Sequence, residues 1–191
     1  GFSRFEVSGP HAEAWLNTVF ATKLPVPGRA RLAVALGKDG RLKGDLTLFN
    51  WGDGTWWIMG SYYLRRWHMR WFEDHMRDGV RVRDLGEEMA GFSLSGPKSR
   101  AVLERLTDGP LDELSFMGCG SFDIGLVRTR VGRLSVTGEA GYEINCRMGD
   151  HIALRRMLLA AGADLGIAEY GLNALFCLLY TSPSPRDLST S

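Results

Sequence analysis

The stretch Phe92-Ser-Leu-Ser95-Gly96-Pro97-Lys-Ser-Arg-Ala101-Val-Leu103-Glu-Arg-Leu106 echoes Phe5-Glu-Val-Ser8-Gly9-Pro10-His-Ala-Glu-Ala14-Trp-Leu16. Phe, Ser, Gly, Pro, Ala and Leu return in the same order at one spacing, 92 − 5 = 87. A spacing kept over six positions marks two copies of one supersecondary unit. In each copy, alternating apolar residues read as a strand and Gly-Pro breaks it. In the first copy Ala12, Trp15, Leu16, Val19 and Phe20 then recur at helical spacing. Ser8 or Gly9 can cap that helix, and Pro is favoured in a first helical turn because its missing N–H has no partner there anyway. The repeat predicts an α+β fold of two similar halves, each with an antiparallel sheet and packed helices. The halves are expected at 1–90 and 91–176, with the join near 87–90.

Between the two copies, 32–36, 42–51 and 56–59 read as a three-stranded meander turned at Gly37-Lys-Asp-Gly40 and Gly52-Asp-Gly54. Residues 62–77 read as a helix whose apolar stripe is Tyr63, Leu64, Trp67, Trp71 and Phe72, ended by Asp78-Gly79. In the second half, 122–129 and 133–136 are expected to pair as strands, and 151–161 to form a helix ending at Gly162.

The 191 residues, 45% hydrophobic and 24% charged, are enough to bury a sizeable core. A net charge of +1 gives no electrostatic case for nucleic acid or an anionic membrane. No apolar run reaches the length of a bilayer span, so the expected setting is the cytoplasm, or the mitochondrial matrix in a eukaryote. Cys119, Cys146 and Cys177 have neither disulfide-framework nor zinc spacing and read as reduced thiols. Gly1 leads straight into a strand pattern, as in a chain cut from a longer protein. At the other end, Cys177-Leu-Leu-Tyr-Thr-Ser-Pro-Ser-Pro-Arg-Asp187 resembles one reading frame of a sequencing-library adaptor. Residues 177–191 are therefore expected to be a disordered tail.

Chemically specific choices are densest in Ser135-Val-Thr-Gly-Glu-Ala-Gly-Tyr-Glu143-Ile, which reads as strand, Gly-rich turn, strand. Alternation places Glu143 on the face opposite Tyr142 and Ile144, where a lone strand carboxylate ordinarily meets water. In Leu42-Lys-Gly-Asp45-Leu-Thr47-Leu, the residues Lys43, Asp45 and Thr47 share one face, and Asp is depleted in strand interiors. Trp51, Trp56, Trp57, Tyr62, Tyr63, Trp67 and Trp71 read mainly as core and sheet-edge packing. His68 and His75 read as surface histidines, not metal ligands, and Arg65-Arg66 and Arg155-Arg156 as solvated helix faces. Gly118-Cys-Gly120 lacks the third Gly of a dinucleotide loop.

Thr137-Gly-Glu-Ala-Gly-Tyr-Glu143 resembles the signature of the glycine cleavage T-protein family, the tetrahydrofolate-binding aminomethyltransferases and their relatives. The resemblance implies that Glu143 receives the pterin. A carboxylate, acceptor-only and bidentate, suits the paired N–H donors of the pterin's pyrimidine edge. The family often has a folate-contacting Tyr just before the Thr, and here Val136 stands in its place. Gly40-Arg-Leu-Lys-Gly-Asp45-Leu, within Gly40 to Leu48, resembles the family's strand that carries an Asp-Leu pair after a Gly, which implies that Asp45 handles a proton beside the reacting nitrogens, with Thr47 a minor hydrogen-bonding partner. Phe5-Glu-Val-Ser-Gly-Pro, His68-Met-Arg-Trp-Phe-Glu-Asp-His75 and Gly96-Pro-Lys-Ser-Arg are most similar to the folate domain of dimethylglycine and sarcosine dehydrogenases. That subfamily implies an FAD domain in cis in the parent, an N-methyl amine substrate, and formation of 5,10-methylenetetrahydrofolate. A glycine cleavage aminomethyltransferase, or a folate-binding relative without enzymatic activity, are the alternatives.

Overall fold

The computed structural model describes residues 1–136 and 138–181, the side chains of 178–181 excepted. Strand β1 (Phe2–Ser8) leads to helix α1 (Ala12–Val19), then to a meander of β2 (Arg29–Leu36), β3 (Leu42–Asn50) and β4 (Trp56–Ser61). A 3-10 turn, Tyr62–Leu64, enters α2 (Arg65–Asp74), and β5 (Arg81–Asp84) closes a five-stranded sheet ordered β2-β3-β4-β1-β5. The second passage runs through β6 (Met89–Ser95), α3 (Ser99–Glu104), β7 (Cys119–Ile124), β8 (Val127–Gly132) and β9 (Gly141–Arg147). Another 3-10 turn, Met148–Asp150, enters α4 (His151–Gly162), and α5 (Leu172–Thr181) follows. The second sheet is ordered β6-β9-β8-β7. All pairings in both sheets are antiparallel.

The repeat is physical. Gly9 and Gly96 adopt φ of 112° and 117°, values that only a residue without Cβ holds easily. The same turn follows each, with Ala12 N–H bonded to Gly9 O at 3.1 Å and Ser99 N–H bonded to Gly96 O at 3.0 Å. Phe5 faces Ile58 across β1 and β4 as Phe92 faces Ile144 across β6 and β9. Pro10 and Pro97 each sit one residue before the helix N-cap, His11 or Lys98, not in the first helical turn.

The layers run helix, sheet, sheet, helix. One core packs α1 and α2 on the first sheet through Trp15, Leu16, Leu46, Ile58 and Phe72. A second packs α3 and α4 on the second sheet through Val102, Leu103, Ile144 and Leu154. Between the sheets lies a third core of Phe49, Trp51, Trp57, Met59, Leu85 and Cys119. Both faces of each sheet are thus covered, which is why β4 and β9 are buried along nearly their whole length.

Several expectations change. The second hairpin turns at Gly125, φ 57°, between Ile124 and Val127, so no strand runs through 122–129 and 133–136 is irregular. The apolar alternation continues across that turn and hides it. In α2 the buried residues are His68 and Phe72, while Trp67 stays exposed, so His68 is no surface residue. Arg65 is also not simply solvated, since its Nε bonds Asp84 at 2.5 Å. Helix α5 extends to Thr181, so 177–181 are helical where a disordered tail is expected, and 182–191 lie outside the described residues.

Candidate functional site

Where the two sheets meet near α5, a cavity of about 220 Å³ opens. Asp45, Thr47, Met59 and Tyr63 line it from the first passage, and Val136 and Glu143 from the second. Leu172, Leu175 and Phe176 of α5 form a further wall. The strand period explains the meeting. Asp45, Thr47 and Phe49 occupy the phase of β3 that faces the second sheet, while Leu46 and Leu48 face the helices. Glu143 holds the matching phase on β9. The polar faces of the two strands are therefore inner faces, turned toward each other.

This places Glu143 out of water at 4% exposure, against the solvent position that strand alternation alone favours. Its Oε1 is buried with no hydrogen-bond partner among the described residues. Burial pushes its pKa up from 4.5 to about 7, opposed by a hydrogen bond from Ser93 and by the charge of Arg4. Asp45, by contrast, is exposed at the cavity mouth.

Arg4, whose charge acts on Glu143 from behind the cavity lining, is a residue that sequence reasoning missed. It is 6% exposed on the inner face of β1, and its Nε donates to Asn145 Oδ1 at 2.6 Å while Nη1 donates to Phe2 O at 3.0 Å. Burial lowers its pKa, with Glu143 and Cys146 acting in the opposite sense. Glycine makes the room: a Cβ on Gly91 would run into Arg4 Nη2 and stand 2.7 Å from Asn145 Oδ1. Two strands over, on β8, a Cβ on Gly132 would stand 2.6 Å from the Phe49 ring. A signal existed, since Arg4 falls in the polar phase of β1, but the phase alone reads as solvent. Arg130 of β8 docks between Trp51 and Trp57, 4.9 Å from each ring, and bonds Asp53 at 2.6 Å and Thr55 at 3.1 Å. No cluster of three or more potential metal ligands is present among the described residues. Among them, too, no helix is long and apolar enough to cross a membrane.

The family described as the GCVT N-terminal domain matches residues 1–179. The chain belongs to the GCVT N-terminal domain family. A mouse mitochondrial dimethylglycine dehydrogenase is 28% identical over 182 residues, covering 93% of this chain and 21% of that protein. An aminomethyltransferase of Geobacillus kaustophilus is 31% identical over 169 residues, covering 86% of this chain and 46% of that protein. This GCVT-type chain therefore spans half or less of the length of these two relatives. Among solved structures, the glycine cleavage system aminomethyltransferase T from Bartonella henselae superposes with a TM-score of 0.81 at 24% identity, over 93% of this chain and 48% of that one. Heterotetrameric sarcosine oxidase from Corynebacterium sp. U-96 superposes with a TM-score of 0.65 at 17% identity, over 89% of this chain and 84% of that one. These two likenesses establish the aminomethyltransferase fold, with its two antiparallel sheets and flanking helices.

Proposed function

We propose that this chain is the tetrahydrofolate-binding part of a one-carbon-transfer enzyme of the dimethylglycine or sarcosine dehydrogenase type, forming 5,10-methylenetetrahydrofolate. The observation that carries the reading is the buried, unpartnered Oε1 of Glu143 beside the cavity that Asp45 and Thr47 share. A buried acceptor without a donor costs on the order of 1–3 kcal/mol, which a ligand bringing N–H groups recovers. The pterin's paired N–H donors fit that requirement. At about 220 Å³ the cavity is below the size that encloses a drug-sized ligand, so it suits the ring system and leaves the glutamate tail outside.

In this reading Glu143 binds and orients, and Asp45 takes the proton released when the folate amine attacks an electrophilic one-carbon unit. Thr47 hydrogen-bonds on the same face, and the apolar wall from α5 keeps water from the reacting carbon. Tetrahydrofolate supplies the accepting nitrogens. Residues that hold it close to an iminium source would favour transfer of the carbon to those nitrogens over loss of formaldehyde to water. The flavin that would oxidise the N-methyl amine belongs to a separate domain of the parent. The 31% identity to an aminomethyltransferase favours a second reading, in which the carbon comes from a glycine cleavage carrier with no flavin involved.

Tetrahydrofolate titration of the complete protein tests the assignment. Glu143→Gln is expected to weaken binding by about 1–3 kcal/mol, since an amide donor then faces the pterin's donors. Asp45→Asn should bind nearly normally, yet release formaldehyde in place of methylenetetrahydrofolate while amine oxidation continues. If neither substitution alters binding or product, the site is elsewhere.

A further inference from the structure

The internal repeat leaves one strand unaccounted for. In the first sheet β5 lies along the outer edge of β1, pairing Glu6 with Arg83 and Ser8 with Arg81, and Leu85 N–H bonds Arg4 O at 2.9 Å. Among the described residues the second sheet stops at β6, whose outer edge carries no strand. The chain nonetheless supplies a counterpart. The first strand of each passage repeats at 96 − 9 = 87, and the 3-10 turn and second helix at 148 − 62 = 86 and 151 − 65 = 86. Carried past α4, the second spacing maps 81–84 onto 167–170.

In the structure 167–170 has no regular secondary structure and runs beside β6 across a cavity of about 400 Å³. Side chains hold it there. Tyr170 Oη donates to Ser93 O at 3.5 Å and lies 3.2 Å from Ser95 Oγ, and Arg155 Nε donates to Glu169 at 2.6 Å. Lys98 Nζ bonds the carbonyl of Leu165 at 3.3 Å. Ser93 O thus points away from β9 into the gap. The counterparts of Arg4, Glu6 and Ser8, whose main chain meets β5, are Gly91, Ser93 and Ser95.

We infer that 167–170 is a fifth strand of the second sheet, poised in this structure one step short of pairing with β6. The repeat fixes the register: Ser95 with Ile167, Ser93 with Glu169, and Gly91 with Gly171, each exchanging main-chain hydrogen bonds, and Leu94 opposite Ala168 between them. Closure satisfies an open edge of β6 and removes the cavity. Its consequence reaches the candidate site, because α5 begins at Leu172, directly after the strap. Leu172 and Leu175 move with it, and both line the cavity shared by Asp45 and Glu143. The inference stands independently of which ligand that cavity takes.

Amide hydrogen exchange on this chain, read residue by residue by NMR, tests the register. The amides of Ser93 and Ser95 are expected to be protected, and a contact between the Hα atoms of Leu94 and Ala168 should be visible in the unsubstituted chain. Glu169→Pro removes the N–H facing Ser93 O and should speed exchange at Ser93 and Ser95 by roughly tenfold or more, with β9 amides unchanged. Ala168→Pro, whose N–H faces away from β6, should leave both protected, and Glu169→Gln should do the same, which separates the ladder from the Arg155 pair. Exchange at unpaired rates with no Leu94–Ala168 contact in the unsubstituted chain overturns the inference. So does protection that Glu169→Pro leaves intact. Should Glu169→Pro fail to fold, the Hα contact in the unsubstituted chain decides alone.

Discussion

Glu143 serves two ends that pull against each other. With its folded pKa raised from 4.5 to about 7, the folded chain binds a proton that the unfolded chain gives up, so stability falls as pH rises through that window and levels off above it. The span, 7 − 4.5, corresponds to roughly 3 kcal/mol. Glu143→Gln should therefore raise the thermal midpoint relative to the unsubstituted chain at pH 8, with the difference shrinking to nothing near pH 4.5. His68 works in the opposite sense. It is 2% exposed, burial lowers its pKa, and its contribution is lost as pH falls through the histidine range, so the difference between the two chains, not either curve alone, isolates Glu143. Binding should show the mirror image. If the carboxylate is what meets the pterin, affinity strengthens from pH 6 to pH 8 and flattens above, and Glu143→Gln loses that slope. A pH-independent Kd in the unsubstituted chain would remove Glu143 from the site. At this scale the sequence was half legible. Strand phase put Asp45, Thr47 and Glu143 on polar faces, but phase says nothing about whether a polar face meets water or a second sheet.

At the scale of elements, close approach of the sheets depends on residues that have no side chain. Gly91 faces Arg4, and a Cβ there would also stand 2.9 Å from Ile144 O, a main-chain atom that cannot swing aside. Gly91→Ala should cost about 1–3 kcal/mol in urea unfolding, as overpacking does, and Arg4→Ala in the same chain should recover part of it by vacating the space. Equal, additive losses would show that the two do not contact. Elements written twice were the legible ones: the strand, Gly-Pro turn and helix of each passage could be read because the copies corroborate each other. Apart from Pro10 and Pro97, which lie just outside their helices, what failed was read once. Nothing in Phe122-Asp-Ile-Gly125-Leu-Val marks the reversal except a glycine inside an unbroken alternation. The stripe of α2 was misplaced for a different reason, since a helix rich in Trp offers several apolar faces and packing on β3 and β4 selected the one with His68 and Phe72.

Over the whole molecule, the Arg130 contact is the most specific tie between the first passage and the second. Arg130→Met keeps the stem but loses both ring faces and the Asp53 pair, and should lower stability by about 2–3 kcal/mol; Arg130→Lys, a point charge without a planar fork, should recover less than half. A loss below about 0.5 kcal/mol would show that the contact is ornamental at equilibrium. The position of β1 has a further consequence, one of timing. It sits inside the first sheet, flanked by β4 and β5, so every main-chain partner it has lies beyond residue 55. As the chain leaves the ribosome, β1 precedes both of its partners, so it stays unpaired until residue 61 has emerged and open along one edge until residue 84 has. The second passage imposes a similar wait on β6 until β9 arrives, and if 167–170 completes that sheet, the latest of its five strands to emerge becomes the latch that closes it.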